Sequence, residues 1–273
     1  MKNKTTTDLL PFTRKKQLWF LIKDNPSLLF FVNFTAAIFF IPLGFCAAWL
    51  LISISSVLRT EGASSLSCFY AVFYPGLCFV PATMIAGIGM CGLYGVINDL
   101  VLRDISKYVN FWSYIKKNWL QFIIYHFLIG LFLFFVIMNF GVYFFLDMSP
   151  LFKLVLLVIS ILLLVVFFFI KPFVLFQITL FDNNLPQIIK NSIGFSAKRF
   201  LYNLLCFVAG ISMYVLVFFL PGDFLRIIPI VTIATVWLMF TTLLNYIVCI
   251  DTLEIKLPRE QTIDFYHKGL EED

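Results

Sequence analysis

Apolar residues run through this chain in six long blocks separated by short polar connections, roughly Ser27–Ser56, Ser67–Leu100, Trp119–Leu146, Leu151–Phe181, Phe200–Leu220 and Ile227–Ile250. Each block reaches the roughly twenty residues that carry an α-helix across a hydrocarbon core of about 30 Å. None shows the short alternating segments of a membrane β-barrel. The pattern predicts an all-α, polytopic membrane helix bundle of six transmembrane helices over residues 27–250, with an arm at 1–26 and an acidic tail at 251–273.

The second block has the most internal structure. Pro75 and Pro81 interrupt its apolar start, and Thr83, Gly87, Cys91 and Gly95 then follow at intervals of four residues. On a helix that spacing stacks them on one narrow stripe, where a second backbone can come close. Lipid tails are as apolar as leucine, so close packing across small residues is how helices associate in a bilayer. Pro81, Thr83, Gly87, Cys91 and Gly95 are therefore the expected helix-packing residues. Gly87, Gly89 and Gly92 also match G-x-G-x-x-G. That phosphate-binding signature needs a strand before it and a helix N-terminus in water. This block supplies neither, so helix packing is the expected use of all three glycines.

Composition sharpens the class. Hydrophobic residues make up 61% of the chain and charged residues 13%, against about half and a quarter in a soluble domain. The placement of charge then orients the bundle. Sixteen of the twenty Lys and Arg fall in the N-terminal arm, the second and fourth connections and the tail. Only Arg59, Lys153 and Arg226 lie on the other side, and Lys171 lies within a block. Basic loops stay in the cytoplasm, so both termini are expected to be cytoplasmic. The first apolar run is too long for a secretory signal. The six cysteines sit in or beside apolar blocks with no C-x-x-C pair, and there are two histidines. Buried small hydrophobes are the expected role of the thiols, and no metal site and no cofactor is expected.

The arm mixes Arg14, Lys15, Lys16 and Lys23 with Trp19 and Phe20, a composition suited to the headgroup layer. The outer connections are too short for a domain. The second and fourth blocks exceed what a bilayer needs, so tilt or kinking is expected, with Pro172 as the kink point of the fourth. Lys171 beside it either snorkels to the interface or faces a polar interior. The starts of the third and fifth blocks are similar, Lys117-Asn118-Trp119-Leu120 and Lys198-Arg199-Phe200-Leu201. Either duplicated hairpins or convergence in lipid accounts for that.

Candidate chemistry inside the blocks is sparse: Asn33, His126, Asn139, Lys171, Gln177, Asn203 and Asn245. There is no H-E-x-x-H, no intramembrane Asp pair and no G-x-S-x-G, so no hydrolytic enzyme is predicted. His126 is expected to make an interhelical hydrogen bond. Asn98 and Asp99 are expected to be structural, Asp99 pairing with Arg103 or Lys107. No carboxylate falls in mid-block, which argues against proton coupling but leaves a carrier of neutral solutes open. The connection from Arg103 to Lys117 concentrates aromatic and basic residues. Phe111, Trp112, Tyr114, Lys116 and Lys117 form either a helix lying on the membrane or a surface that docks another protein. No nucleic-acid surface is expected.

Several of these motifs together resemble the YesL-like family, uncharacterised bacterial integral membrane proteins built on a domain of unknown function. Val80-Pro81-Ala82-Thr83-Met84-Ile85-Ala86 is similar to the family's Gly-Pro-Ala-Thr start, with Val80 in place of the usual Gly. Tyr94-Gly95-Val96-Ile97-Asn98, Phe111-Trp112, Lys117-Asn118-Trp119-Leu120-Gln121, Phe181-Asp182 and Ile189-Lys190-Asn191-Ser192 resemble its later motifs. The likeness covers roughly residues 20–250 and carries no catalytic residue. It implies a non-enzymatic accessory or assembly partner of a transporter, such as the permease subunits of a carbohydrate ABC importer. The alternative is that the chain is itself a carrier of a small neutral solute.

Overall fold

The computed structural model describes residues 19, 21–60, 64–103, 107–145, 148–181, 183–220 and 231–253. Among the described residues the chain is helical and contains no strand. The N-terminal residues 1–18 and the tail beyond Leu253, including the acidic segment, lie outside them.

The first apolar block is two helices rather than one. Helix α1 covers Pro26–Ile38 and α2 covers Ile41–Arg59, joined by a turn at Phe39 and Phe40. Pro42 explains the break. Proline lacks the N–H that a continuing helix requires, and its ring crowds the carbonyl four residues back, whereas at a helix start neither matters. The two pieces have different surroundings. Leu29, Val32, Asn33 and Ala36 of α1 are buried in the protein, while α2 has no buried residue.

Helix α3, Ser65–Arg103, is the axis of the molecule. Pro75 and Pro81, expected to interrupt the block, both lie inside this continuous helix. Every residue from Cys91 to Leu100 is buried, so this half of α3 is surrounded by other helices. Helix α4 runs Tyr108–Phe145, α5 Pro150–Leu180, α6 Leu185–Lys198 and α7 Phe200–Phe219. A π-helical turn at Ile233–Trp237 leads into α8, Leu238–Leu253. The aromatic residues Phe111, Trp112 and Tyr114, read in the sequence as part of the connection from Arg103 to Lys117, belong to the first turns of α4 and continue into it without a break.

Aromatic rings join these helices around α3. Tyr94 lies 4.4 Å from Phe176 of α5, which meets Tyr246 of α8 edge-on at 5.1 Å. Asn33 closes the α1–α8 contact, its side-chain oxygen accepting the Met239 N–H at 2.6 Å. Outside this core, Phe45, Trp49 and Ile52 of α2 and Leu151, Leu154 and Leu162 of α5 are exposed. So large an apolar surface needs hydrocarbon around it. Four helical stretches, Ile41–Arg59, Ser65–Val101, Tyr108–Tyr143 and Pro150–Leu180, are long and apolar enough to cross a membrane, and Pro26–Ile38 and Phe200–Gly210 are shorter apolar helices.

Candidate functional site

The small-residue stripe of α3 lies against α4. Thr83 donates to the backbone oxygen of Val80 at 2.8 Å and of His126 at 3.1 Å. A Cβ placed on Gly87 would stand 2.7 Å from the His126 ring, and Cys91 Sγ is 3.3 Å from the backbone oxygen of Tyr114. Gly95 faces the Tyr114 ring and, one turn of stripe aside, Gly92 faces Phe111. The three glycines of the apparent phosphate motif thus approach separate neighbours: His126 for Gly87, Ala36 and Phe39 for Gly89, and Phe111 for Gly92. Pro81 does not share this contact, since its side chain is exposed.

This contact also uses up much of the aromatic segment. Phe111 is fully buried over Gly92. Tyr114 donates to Asp99 Oδ1 at 2.7 Å, and Asn110 donates to Asp99 Oδ2 at 2.9 Å. Phe111 therefore serves α3–α4 packing and presents no outward face, and the half-buried Tyr114 takes part in the same contact. Trp112, Lys116 and Lys117 remain exposed. Asp99 takes partners from α4; the side chain of Arg103 lies outside the described residues.

Beyond the stripe the helices part around a cavity of about 370 Å³, within the range of small-molecule sites. Thr83 and Tyr94 come from α3, His126 from α4, Lys171 and Pro172 from α5, Asn203 from α7, and Thr242 and Asn245 from α8. Phe40 and Leu43, at the α1–α2 joint, complete the wall with apolar residues such as Met90, Ile129 and Phe207. Lys171 therefore faces an interior rather than snorkelling. Its ammonium stands 6.0 Å from the Phe168 ring centroid. It is the one charged side chain among the described lining residues.

The neighbouring hydrogen bonds show how the wall is held. Gln177 of α5 donates to Ser192 of α6 at 2.7 Å, and Ser196 donates to the Phe169 backbone oxygen at 2.8 Å. Asn203 then donates to Ser196 Oγ at 3.0 Å. These polar rungs bind α6 across α5 and fix Asn203 at the cavity. His126 Nδ1 lies 2.9 Å from the Phe122 backbone oxygen. A carbonyl can only accept, so Nδ1 carries the proton and Nε2 of the neutral ring is an acceptor. That Nε2, like Asn203 Oδ1, is buried without a partner among the described residues. The expected interhelical bond of the His126 ring is therefore a bond within its own helix; the link between helices is made by its backbone oxygen.

Of the polar residues picked out in the sequence, His126, Lys171, Asn203 and Asn245 converge on the cavity. Asn33, Asn139 and Gln177 do not; Asn139 is used in a bond to Ser160 at 2.6 Å. Tyr94, Thr241 and Thr242 were not singled out, although Thr241 and Thr242 precede Asn245 at the i, i+4 and i, i+3 spacings that share a helix face. Both threonines donate to carbonyls of their own helix, at 3.0 and 2.7 Å, leaving their oxygens as acceptors. All six cysteines are free thiols, and no metal-ligating cluster occurs among the described residues. Comparison of the chain with protein-family models, curated proteins and solved structures finds no match.

Proposed function

We propose that this chain is a non-enzymatic membrane protein of six spans, both termini cytoplasmic, in a bacterial plasma membrane, and that it binds a small solute in its central cavity as a carrier. The cavity of about 370 Å³, walled by helices from both ends of the chain and lined by a half-buried lysine, carries this reading. A charge at mid-helix costs about 2.5–3.5 kcal/mol by insertion scales. Such a group is kept where it has work to do, and ionisable residues within spans mark substrate and ion pathways.

The accessory role has a narrower basis. The exposed Trp112, Lys116 and Lys117 form a small basic and aromatic patch that suits a transporter permease. The YesL-like motifs, and with them a place beside a carbohydrate ABC importer, support the same role. Native mass spectrometry of the full-length protein, purified in mild detergent, separates the two. A bound small molecule that is lost in Ala86→Phe, a variant filling the cavity wall, supports the carrier. A stoichiometric permease retained by that variant, with no small molecule in either protein, supports the accessory and overturns the cavity reading.

A further inference from the structure

Resting on the cavity as a ligand site, we propose that its ligand is an organic monoanion, a carboxylate with an apolar body, held by Lys171. Three observations lead there. Lys171 is the one charged residue of the described lining, which holds no Asp or Glu. Most of the remaining wall is apolar, from Leu43, Met90, Ile129, Leu133, Phe207 and Leu238. Several polar groups that share the cavity with the cation are acceptors: Thr241 and Thr242 have given their protons to their own helix, and Asn203 has turned its amide N–H groups to Ser196 and Phe169. Acceptors solvate an ammonium without neutralising it. An ammonium with no counter-charge in the described lining is costly to hold away from bulk water, and one negative charge from outside would offset that cost.

The same features narrow the class. A single cation balances a single charge, which suits a carboxylate better than a phosphate dianion. The ammonium offers three donors, and the Asn245 side-chain amide, which also bonds Tyr94, lies on the same wall. A neutral sugar would leave the lysine uncompensated and bring hydroxyls against aliphatic side chains. A solute carried here therefore differs from the neutral one that the absence of intramembrane carboxylates first suggests.

Isosteric probes test the charge. Full-length protein in lipid nanodiscs is titrated with hexanoate, 1-hexanol and hexylamine, followed by calorimetry and by the shift in thermal unfolding. Hexanoate is expected to bind more tightly than hexanol by about tenfold or more, the ratio one charge-assisted hydrogen bond supplies. Lys171→Gln should remove that preference while leaving hexanol unchanged, and Lys171→Arg should keep it. Should Lys171→Gln not accumulate, Asn245→Ala serves instead, weakening hexanoate more than hexanol. Palmitate competing with hexanoate identifies an acid drawn from the bilayer; hexanoate and benzoate binding without palmitate identifies one drawn from water. Equal affinity for hexanol and hexanoate, or hexanoate binding unaltered in Lys171→Gln, overturns the anion. If hexanol or hexylamine binds and hexanoate does not, the ligand site stands and the anion is wrong. If no probe binds, and Ala86→Phe melts like the parent protein, both fail.

Discussion

Gly87 meets the ring of His126 so closely that a Cβ on the glycine would lie 2.7 Å from ring Cγ. Both atoms belong to rigid parts of packed helices, so the neighbour cannot yield as a flexible chain end would. Gly87→Leu should push α3 and α4 apart and cost about 1–3 kcal/mol or more. Gly194 is the control: a Cβ there meets nothing within 4 Å. Gly194→Ala should raise stability by up to about 1 kcal/mol through helix propensity. Thermal unfolding in detergent compares the two, and a Gly87→Leu protein that melts like the parent removes the contact.

Phe111 and Trp112 are neighbours with opposite fates. Phe111→Ala empties a fully buried site over Gly92 and should cost about 3–5 kcal/mol. Trp112→Ala, at a side chain 43% exposed, should cost well under half of that. If an accessory role holds, Trp112→Ala combined with Lys116→Glu should abolish co-purification of a permease while unfolding stays unchanged. Equal destabilisation by Phe111→Ala and Trp112→Ala would show that the first turns of α4 are placed wrongly.

Lys171→Met should make the protein more stable and less useful. The substitution keeps most of the length of the side chain and removes a charge that no carboxylate of the described lining balances. A gain of about 1–3 kcal/mol is expected, as when buried charges give way to apolar residues. A lower unfolding temperature for Lys171→Met in ligand-free protein would mean that the ammonium already has a strong partner.

Topology follows from charge and is tested with thiol reagents. In a chain whose native cysteines are replaced, Lys116→Cys should resist an impermeant maleimide in intact cells and react after lysis. Leu58→Cys, in the last turn of α2, should react in intact cells. The reverse pattern would invert the bundle and cancel the positive-inside argument.

How much of this was legible in the chain depends on how many residues each feature needs. The stripe on α3 could be read because four small residues recur at one helical spacing, a local signal. Proline at residue 42 was also a local signal, and it marks a helix start that the length of the apolar run concealed. The direction of Lys171 was not legible: α5 is apolar all round, so no polar face tells which way one side chain turns. The division between Phe111 and Trp112 rests on Gly92, on another helix. The cavity is harder still, because five helices supply its polar residues in ones, twos and threes, and no single window contains it.

The turn at Phe39 and Phe40 separates two stretches that answer to different solvents. Before it, α1 fits into protein; after it, α2 buries no residue at all. A saturation scan should therefore be severe at Leu29, Val32, Asn33 and Ala36 and depend there on shape. Across α2 it should be permissive, excluding charge and proline but hardly distinguishing one aliphatic residue from another. Phe40 and Leu43 stand at the boundary and also line the cavity, so selection for a solute's outline should appear there against a background set only by oil.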